Sequence, residues 1–387
     1  MKVAIVHDWL TAKGGAENCL EEFLRLFPDA DLFCVVDFLP EADRGFLQGR
    51  VPQTSSIQRL PRAREKYRAY LPLMPLAIEQ FDLAGYDLVI SSSYAVAKGV
   101  ITGPDQLHIS YTHSPIRYAW DLQGIYLRQS SLDRGVKSAI ARLVLHYLRM
   151  WDTRTGPGVD HYVSNSRYVG RRIAKLYRRE ATTIHPPVDV ERFVPGTQRD
   201  DFYLTVSRMV PYKCMPMIAE AFRQLPDRRL VVIGDGPDME NVQRMAGPNV
   251  EILGRQPDDV VRDHMQRAKA FIFAAEEDFG IVPIEAQACG TPVIAYGRGG
   301  ATETVIAAEG EGRTGVFFHE QSADAIARAV EEFEALSPAI SSSACRRNAE
   351  RFSAERFREE FGQFVRERVD SFLAAEGGPI TQGIQRF

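Results

Sequence analysis

The stretch that decides the fold runs from residue 276 to residue 295 and reads EEDFGIVPIEAQACGTPVIA. Just before it, residues 268–274, which are apolar except for Lys269, predict a buried strand. Residues 283–289 have helical spacing with Pro283 in the first turn, and residues 292–295 predict a second strand. A strand, a loop with a glycine, a helix and another strand make one βαβ unit, which indicates a parallel sheet covered by helices.

The same alternation extends outward in both directions. The chain begins with apolar residues 3–6, a turn ending in Gly14-Gly15, and helical spacing over residues 19–27. Further strands are predicted at 32–36, 88–91, 108–111, 161–164, 202–207 and 230–234. The breaker-rich segment HPPVDVERFVPG at 185–196 divides the chain, and a charged amphipathic helix closes it near 354–374. We therefore predict two successive α/β domains with mostly parallel sheets.

The composition is that of an ordinary globular protein. The 387 residues are 45% hydrophobic and 25% charged, which argues against a disordered or disulfide-stapled chain. The five cysteines are scattered and form no CxxC pair, as expected for reduced thiols in a cytosolic protein. Asp8 interrupts the first apolar run, and no apolar stretch reaches about 18–20 residues, so we predict neither a signal peptide nor a membrane span.

The net charge of −4 hides an uneven distribution. Residues 1–195 carry 25 basic and 21 acidic side chains, whereas residues 196–387 carry 22 and 30. The segment Arg59–Leu76 holds five cations and one acid in its first ten positions, followed by an apolar and aromatic run. This profile predicts contact with an anionic membrane surface; the alternative is a solvated face whose apolar side is buried. No nucleic-acid-binding module accompanies the charge, so we predict no nucleic-acid partner.

The loop around Gly280 has the form of a phosphate site. It leads into a helix, so free backbone N–H groups and the positive helix end converge on one point. Glu285 lies in the first helical turn, where a carboxylate caps the backbone or accepts hydrogen bonds from ribose hydroxyls. Glu277 stands eight residues earlier, at the entrance of the loop. Spacing alone leaves an ordinary βα loop with an acidic helix start equally open.

Two other strand ends carry candidate ligand-binding residues. Arg208 and Lys213 follow the first strand of the second half, and two cations at such a position suit a diphosphate. Taken alone, they are more consistent with solvated surface cations. The segment VVIGDGP at 231–237 is a strand followed by a turn at Gly234, a pattern that is common for geometric reasons.

Together these segments resemble family 4 of the retaining glycosyltransferases, which have the GT-B fold. The resemblance covers nearly the whole chain in the right order. Its elements are Gly14-Gly15, the HPPVD linker at 185–189, Arg208 with Lys213, the GDGP turn at 234–237, and Glu277-x7-Glu285. Residues 3–10 and the stretch YTHSPIRYAWD at 111–121 most resemble bacterial mannosyltransferases of polysaccharide assembly.

The resemblance implies an α/β fold of the GT-B type, with two Rossmann-like domains that face a central cleft. It assigns residues 1–190 to an acceptor-binding domain and residues 191–353 to a nucleotide-sugar-binding domain. Residues 354–387 would form a C-terminal helix and tail that cross back to the N-terminal domain. Closure of the two domains would bring His113 to the donor.

The resemblance also implies roles for the residues that match the family motifs. Arg208 and Lys213 would hold the donor diphosphate and stabilise the charge on the departing nucleotide. Glu277 would hold hydroxyls of the donor sugar, and Glu285 would hold the ribose. Gly234 lies in the region whose pocket shape would select the base and the sugar of the donor.

Backbone groups and one histidine complete the implied site. Phe279, Gly280 and Ile281 would assist at the phosphate, while Gly14-Gly15 would approach the phosphates and the acceptor. His113 would hydrogen-bond the sugar near the reacting carbon; the alternative is a structural histidine.

The implied activity is retaining transfer of a hexose to a lipid-diphosphate-linked saccharide in surface polysaccharide biosynthesis, with mannose from GDP-mannose as the expected donor sugar. The family needs neither a dedicated nucleophile nor a metal, so no cofactor is expected. We expect a cytoplasmic protein, peripherally associated with the inner face of the cell membrane. The alternatives are a UDP-sugar donor, a nucleotide-sugar epimerase or phosphorylase of the same architecture, and a hinged sugar-binding protein.

Overall fold

The structure of the protein is a computed structural model that describes residues 1–130 and 132–375. These residues divide into two compact units, each with its own parallel sheet. The first unit contains Met1–Pro187 and the chain from Phe357 onward, and the second contains Val188–Arg356. Residues 376–387, which belong to the predicted C-terminal tail, lie outside the described residues.

The first unit is built on a seven-stranded sheet in the order β3-β2-β1-β4-β5-β6-β7, and every neighbouring pair is parallel. Its strands are β1 (Val3–His7), β2 (Asp31–Cys34), β3 (Gln53–Thr54), β4 (Leu88–Ser93), β5 (Leu107–Thr112), β6 (His161–Ser164) and β7 (Ala181–Thr183). Every residue of β1, β4 and β5 is buried, as expected for central strands that are covered on both faces. The strand order reverses between β1 and β4.

Helices cover both faces of this sheet. They are α1 (Gly15–Leu26), α2 (Ala63–Lys66), α3 (Met74–Ile78), α4 (Gln123–Gln129), α5 (Gly135–Thr155) and α6 (Arg167–Tyr177). The longest of them, α5, has 21 residues. The segment Arg59–Leu76 contains α2 and short 3-10 turns and ends in the first turn of α3.

The second unit is built on a six-stranded sheet in the order β10-β9-β8-β11-β12-β13, again parallel throughout. Its strands are β8 (Phe202–Val206), β9 (Arg229–Ile233), β10 (Val250–Gly254), β11 (Ala270–Phe273), β12 (Val293–Tyr296) and β13 (Gly315–Phe318). Its helices are α7 (Met215–Arg223), α8 (Met239–Met245), α9 (Asp258–Arg267), α10 (Val282–Ala288), α11 (Ala301–Thr304), α12 (Ala323–Leu336) and α13 (Ser342–Glu350). The strand order reverses between β8 and β11.

The last helix, α14 (Ala354–Ala375), packs on the first unit. Phe357 and Phe361 are completely buried, and the ring of Phe361 lies 4.6 Å from that of Phe23 on α1. Arg358 pairs with Glu22 of the same helix α1. The predicted return of the C-terminal helix is therefore correct, and burial of its aromatic side chains holds it in place.

Among the helices that the structure describes, none combines the length and the apolar character needed to cross a bilayer.

Candidate functional site

The second unit gathers its predicted site residues at one edge of the sheet. Arg208 and Lys213 follow β8, and the loop from Glu277 to Glu285 follows β11. Because β8 and β11 are neighbours at the point where the strand order reverses, their loops diverge and leave a crevice between them. Open α/β sheets bind their ligands at this kind of position.

The two cations differ in their surroundings. The Lys213 ammonium forms an ion pair with the carboxylate of Glu277, which links the loop after β8 to the loop after β11. The Arg208 side chain is exposed and makes no ion pair with any residue in the described ranges. Lys213 therefore joins the two loops, whereas the Arg208 guanidinium is available to an anionic ligand.

Two glycines allow the Arg208 loop to lie against the end of β9. Gly234 has φ 138° and Gly236 has φ 152°, a backbone region that side-chain-bearing residues rarely adopt. A Cβ on Gly234 would overlap the carbonyl oxygen of Ser207, and a Cβ on Gly236 would overlap that of Met209. The predicted turn at Gly234 therefore supports the loop that carries Arg208.

The loop after β11 leaves a helix end open. Gly280 has φ 85°, and α10 begins two residues later with Ile281 as its N-cap and no side-chain cap. Phe279 is buried and anchors the loop in the core of the second unit. No side chain caps α10, but Pro283 carries no N–H and the Ile284 N–H donates to the Ile281 carbonyl at 2.9 Å, so the N–H of Val282 is the group that this helix start offers to an anion.

Glu285 projects from the first turn of α10 and is half-buried. Burial raises the pKa of its carboxyl from 4.5 to about 7; Arg192 lowers this pKa, and Asp258 and Asp189 raise it. Arg192 is itself paired with Asp258, at 2.6 Å between Nη2 and Oδ2. A carboxyl with this pKa changes its charge near neutral pH, so hydroxyl donors that bind the ionised form would stabilise it.

Sequence reasoning missed one part of this site, the pair Gly299-Gly300 after β12. The Gly300 N–H donates to the carbonyl of Glu277 at 2.8 Å. A Cβ on Gly299 would overlap the same carbonyl, and a Cβ on Gly300 would overlap the backbone of Phe279. The signal was present in the sequence, because GRGG at 297–300 follows a strand and precedes a helix, as Gly14-Gly15 does.

The first unit has a corresponding edge where β1 and β4 diverge. Gly14 is the N-cap of α1, Gly15 begins that helix, and the Gly14 N–H donates to Glu17 Oε2 at 2.9 Å. Asp8 is completely buried and accepts four backbone N–H bonds of 2.6–2.8 Å from residues 94–97. These bonds hold the loop after β4 against the end of β1.

His113 follows β5 at the same edge and is half-buried. Its Nε2 lies 2.9 Å from the hydroxyl of Ser92, at the end of β4. Burial lowers the pKa of His113 to about 3, so the imidazole is neutral at physiological pH. Sequence reasoning found His113 but not its partners, which lie far from it along the chain.

The predicted site residues thus form two groups, one in each unit. Arg208, Lys213, Gly234 and the loop from Glu277 to Glu285 belong to the second unit; Gly14, Gly15 and His113 belong to the first. In the parts of the chain described here, no group of three or more His, Cys, Asp or Glu side chains is arranged to hold a metal ion.

Family models match both units. The model described as "Glycosyltransferase Family 4" matches residues 13–192, and the model described as "Glycosyl transferases group 1" matches residues 188–352. The chain belongs to glycosyltransferase family 4. The family 4 resemblance noted in the sequence is therefore confirmed.

Two characterised relatives resemble this family 4 chain. The GDP-mannose-dependent alpha-(1-6)-phosphatidylinositol monomannoside mannosyltransferase of Mycolicibacterium smegmatis is 33% identical over 208 residues, which cover 46% of this chain and 53% of the relative. The GDP-mannose-dependent monoacylated alpha-(1-6)-phosphatidylinositol monomannoside mannosyltransferase of Corynebacterium glutamicum is 34% identical, over 41% of this chain and 49% of the relative. The chain spans about half the length of these relatives.

Solved structures support the GT-B fold of this family 4 chain. Sucrose-phosphate synthase from Thermosynechococcus elongatus superposes with a TM-score of 0.72 at 18% identity, over 96% of this chain and 100% of that one. Anabaena Alr3699/HepE in complex with UDP gives a TM-score of 0.64 at 16% identity, over 95% and 100%. At these identities the likeness concerns the fold alone, and it confirms the predicted fold class.

Proposed function

We propose that the protein is a retaining hexosyltransferase that transfers mannose from GDP-mannose to a lipid-diphosphate-linked saccharide in surface polysaccharide biosynthesis. The observation that carries the proposal is the meeting of three features where β8 and β11 diverge. These are the free guanidinium of Arg208, the Lys213–Glu277 ion pair and the uncapped start of α10. A nucleoside diphosphate sugar needs a cationic site for its phosphates and acceptors for its hydroxyls, and this edge supplies both.

Lys213 and Glu277 are suited to act together on the donor. An ammonium has three N–H donors, so Lys213 can keep its bond to Glu277 and still donate to a phosphate oxygen. The second oxygen of Glu277 remains an acceptor for sugar hydroxyls. The ion pair would thereby fix the distance between the phosphate and the sugar of the donor, which places the reacting carbon.

The chemical contribution of this edge is electrostatic. When the bond between the sugar and the diphosphate breaks, negative charge grows on the leaving phosphate. Arg208, Lys213 and the N-terminus of α10 would stabilise that charge. No side chain needs to attack the sugar, because the acceptor hydroxyl enters on the face that the phosphate leaves and passes its proton to the leaving phosphate oxygen. The configuration of the sugar is thereby retained. We propose that neither a metal nor a cofactor is required.

The choice of GDP-mannose rests on the two relatives, whose names state that donor. A thermal-shift panel of GDP-mannose, UDP-glucose, ADP-glucose and a dTDP-sugar tests the choice, since a bound donor stabilises the folded state by mass action. We expect the largest shift with GDP-mannose, and a larger shift with UDP-glucose would reassign the donor. An undiminished shift in the presence of EDTA would support metal independence.

Transfer itself is tested with labelled GDP-mannose and a lipid extract as acceptor source. Label that enters the lipid fraction, with the anomeric configuration of the donor, would support retaining transfer to a lipid-linked acceptor. Turnover of GDP-mannose without an acceptor would instead identify an epimerase, and a requirement for free phosphate would identify a phosphorylase.

We also propose that the first unit docks on an anionic bilayer, which would bring it to a lipid-linked acceptor. Helix α5 exposes an apolar stripe with a spacing of four and three residues, made of Val136, Ile140, Leu143, Tyr147 and Met150. Leu143 is 68% exposed. Such a stripe on an amphipathic helix is typical of one that lies in the membrane interface.

The charges on α5 favour a bilayer over a second copy of the chain. Lys137, Arg142, Arg149 and Arg154 lie on this helix, and its one acid, Asp152, is buried. Two copies packed through the stripe would bring these cations together, whereas anionic lipid headgroups would neutralise them. Within the predicted segment Arg59–Leu76, the cations at positions 62, 64, 66 and 68 are exposed; in its apolar run Leu73 and Leu76 are exposed, whereas Met74 and Pro75 are buried. The main apolar contact is therefore assigned to α5.

Co-sedimentation with vesicles of phosphatidylglycerol and phosphatidylcholine tests this docking. Leu143→Glu removes one leucine side chain that would be buried in the bilayer interface, and it should weaken vesicle binding by about tenfold or more. Val51→Glu is the matched control, because Val51 is similarly exposed but lies on the loop before β3. Equal binding by both variants would contradict the proposal, and dimers that disappear in Leu143→Glu would point to a second copy instead.

A further inference from the structure

A chain of four side chains connects the first turn of α1 to His113. His113 Nε2 lies 2.9 Å from Ser92 Oγ, and Ser92 Oγ lies 3.0 Å from His7 Nδ1. His7 Nε2 lies 3.3 Å from Glu17 Oε1. His7 and Ser92 are completely buried and Glu17 is 7% exposed. Because each linking group donates on one side and accepts on the other, the direction of one bond determines the direction of the next.

Glu17 sets the direction at its end of the chain. A carboxylate can only accept, so the proton between Glu17 and His7 belongs to His7 Nε2. The separation of 3.3 Å exceeds the distance of about 2.7–2.9 Å that is typical of charge-assisted bonds, which is the geometry of a neutral N–H donor. With a neutral ring, His7 Nδ1 accepts the hydroxyl proton of Ser92. Ser92 Oγ is then an acceptor for His113.

We propose that Glu17, His7 and Ser92 are positioning residues that hold His113 in the tautomer with its proton on Nε2. The Nδ1 atom then presents a lone pair to a sugar hydroxyl or to the sugar ring. Nδ1 makes no hydrogen bond within the residues that the structure describes, and His113 is half-buried, so this nitrogen is available to a ligand. Burial also lowers the pKa of His113 to about 3, which keeps the ring neutral.

The tautomer has a consequence for catalysis, and this part rests on the proposed function. Positive charge builds on the sugar ring in the transition state of glycosyl transfer, as it does in glycoside hydrolysis. A lone pair that faces this charge stabilises it, whereas an N–H bond in the same place opposes it. The four-residue chain would therefore favour the transition state over the bound substrate.

Glu17→Gln exchanges the donor and acceptor at each hydrogen bond between residues 17 and 113, and glutamine has nearly the same shape as glutamate. The Gly14 N–H still needs an acceptor, so the amide oxygen stays at the position of Oε2 and the amide NH₂ faces His7. His7 then accepts at Nε2 and donates from Nδ1 to Ser92. Ser92 passes its hydroxyl proton toward His113 Nε2, which leaves the proton of His113 on Nδ1.

Nitrogen-15 NMR of histidine-labelled protein distinguishes the two tautomers, and the spectrum of His113→Gln assigns the signals of His113. We expect the Nε2–H form in the wild type and the Nδ1–H form in Glu17→Gln. In Ser92→Ala the link is broken, so adding Glu17→Gln should leave His113 unchanged. An Nδ1–H form in the wild type would overturn the proposal. So would an unaltered His113 in a Glu17→Gln variant whose other histidine signals show that it is folded.

Kinetics provide a second readout, with Glu21→Gln as the matched control. Glu21 lies on the same helix and forms ion pairs with Lys13 and Arg25, neither of which belongs to the hydrogen-bonded series from Glu17 to His113. We expect Glu17→Gln to lower kcat by about tenfold, the scale of one hydrogen bond, with a much smaller change in KM. An equal loss in Glu21→Gln, or a change confined to KM, would contradict a positioning role. The NMR result needs no substrate, so it stands even if the proposed reaction proves wrong.

Discussion

Glu285→Gln should stabilise the protein at alkaline pH while weakening nucleotide binding. Burial raises the pKa of this carboxyl from 4.5 to about 7 in the folded state. Ionising the side chain therefore costs folding free energy, and the cost appears as the pH rises from about 4.5 to about 7. Below pH 4.5 the carboxyl is protonated in both states and contributes nothing.

The magnitude follows from the size of the shift. A difference of about 2.5 pKa units corresponds to about 3 kcal/mol at 1.36 kcal/mol per unit. Glu285 is only half-buried, so water screens part of this cost, and we expect about 1–2 kcal/mol. For a domain of this size such a change corresponds to about 2–8 °C in Tm. The amide of glutamine cannot ionise and avoids the cost at every pH.

The assay compares thermal midpoints of the wild type and the variant at pH 5 and pH 8. We expect the two proteins to differ little at pH 5 and the variant to be more stable at pH 8. Glu240→Gln is the control, because it makes the same change at an exposed site in the first turn of α8. Parallel pH dependence of Tm in the wild type and Glu285→Gln would refute the reasoning.

The affinity of the wild type for the donor nucleotide should rise with pH, whereas the contribution of Glu285 to folding stability becomes less favourable with pH. If ribose hydroxyls donate to ionised Glu285, then GDP affinity of the wild type rises between pH 6 and pH 8, and this rise is absent from Glu285→Gln. A variant that is more stable and still binds GDP with the pH dependence of the wild type would separate the two effects. In that case the raised pKa would stand, but the proposed ribose contact would not.

The other predictions concern one proposed ligand-binding side chain, one glycine below it and one aromatic side chain of α14. Arg208→Ala should leave Tm nearly unchanged. It should weaken GDP binding by about tenfold or more in titration calorimetry, which is the contribution expected of one charged hydrogen bond. Unchanged affinity would exclude a contact between Arg208 and the phosphates. Gly234→Ala should cost about 1–3 kcal/mol of stability and weaken GDP binding, whereas Gly312→Ala, which meets no neighbour, should do neither. Phe361→Ala should cost about 3–5 kcal/mol in denaturant unfolding, and a much smaller loss would mean that α14 is not anchored by its aromatic side chains.

The alternation of strands, loops and helices was readable from the sequence because it depends on local spacing. Buried strands appear as short apolar runs, and the loop into α10 contains a glycine and a proline at positions that restrict its backbone. The spacing of Glu277 and Glu285 is likewise local. These features sufficed to predict two parallel sheets and to place Arg208 and Lys213 at strand ends.

Other elements could not be found in this way. The strands β10 and β13 and the helix α12 were not predicted, because no distinctive motif marks them. The stripe on α5 has helical spacing that is visible in the sequence, but spacing does not tell which face the core covers. Only packing shows that Leu145 and Leu148 face inward and that Leu143 faces solvent.

By itself, the sequence determined the class of fold and the local form of each candidate phosphate-binding loop, since both are set by residues within about twenty positions of one another. It also indicated the family, through the order of several such segments along the chain. The tertiary structure alone decided which loops meet. Lys213 and Glu277 are paired because β8 and β11 are neighbours in the sheet, although 63 residues separate the two side chains. Residues 7, 17, 92 and 113 form one hydrogen-bonded chain for the same reason, because parallel strands bring their carboxyl ends to a single edge.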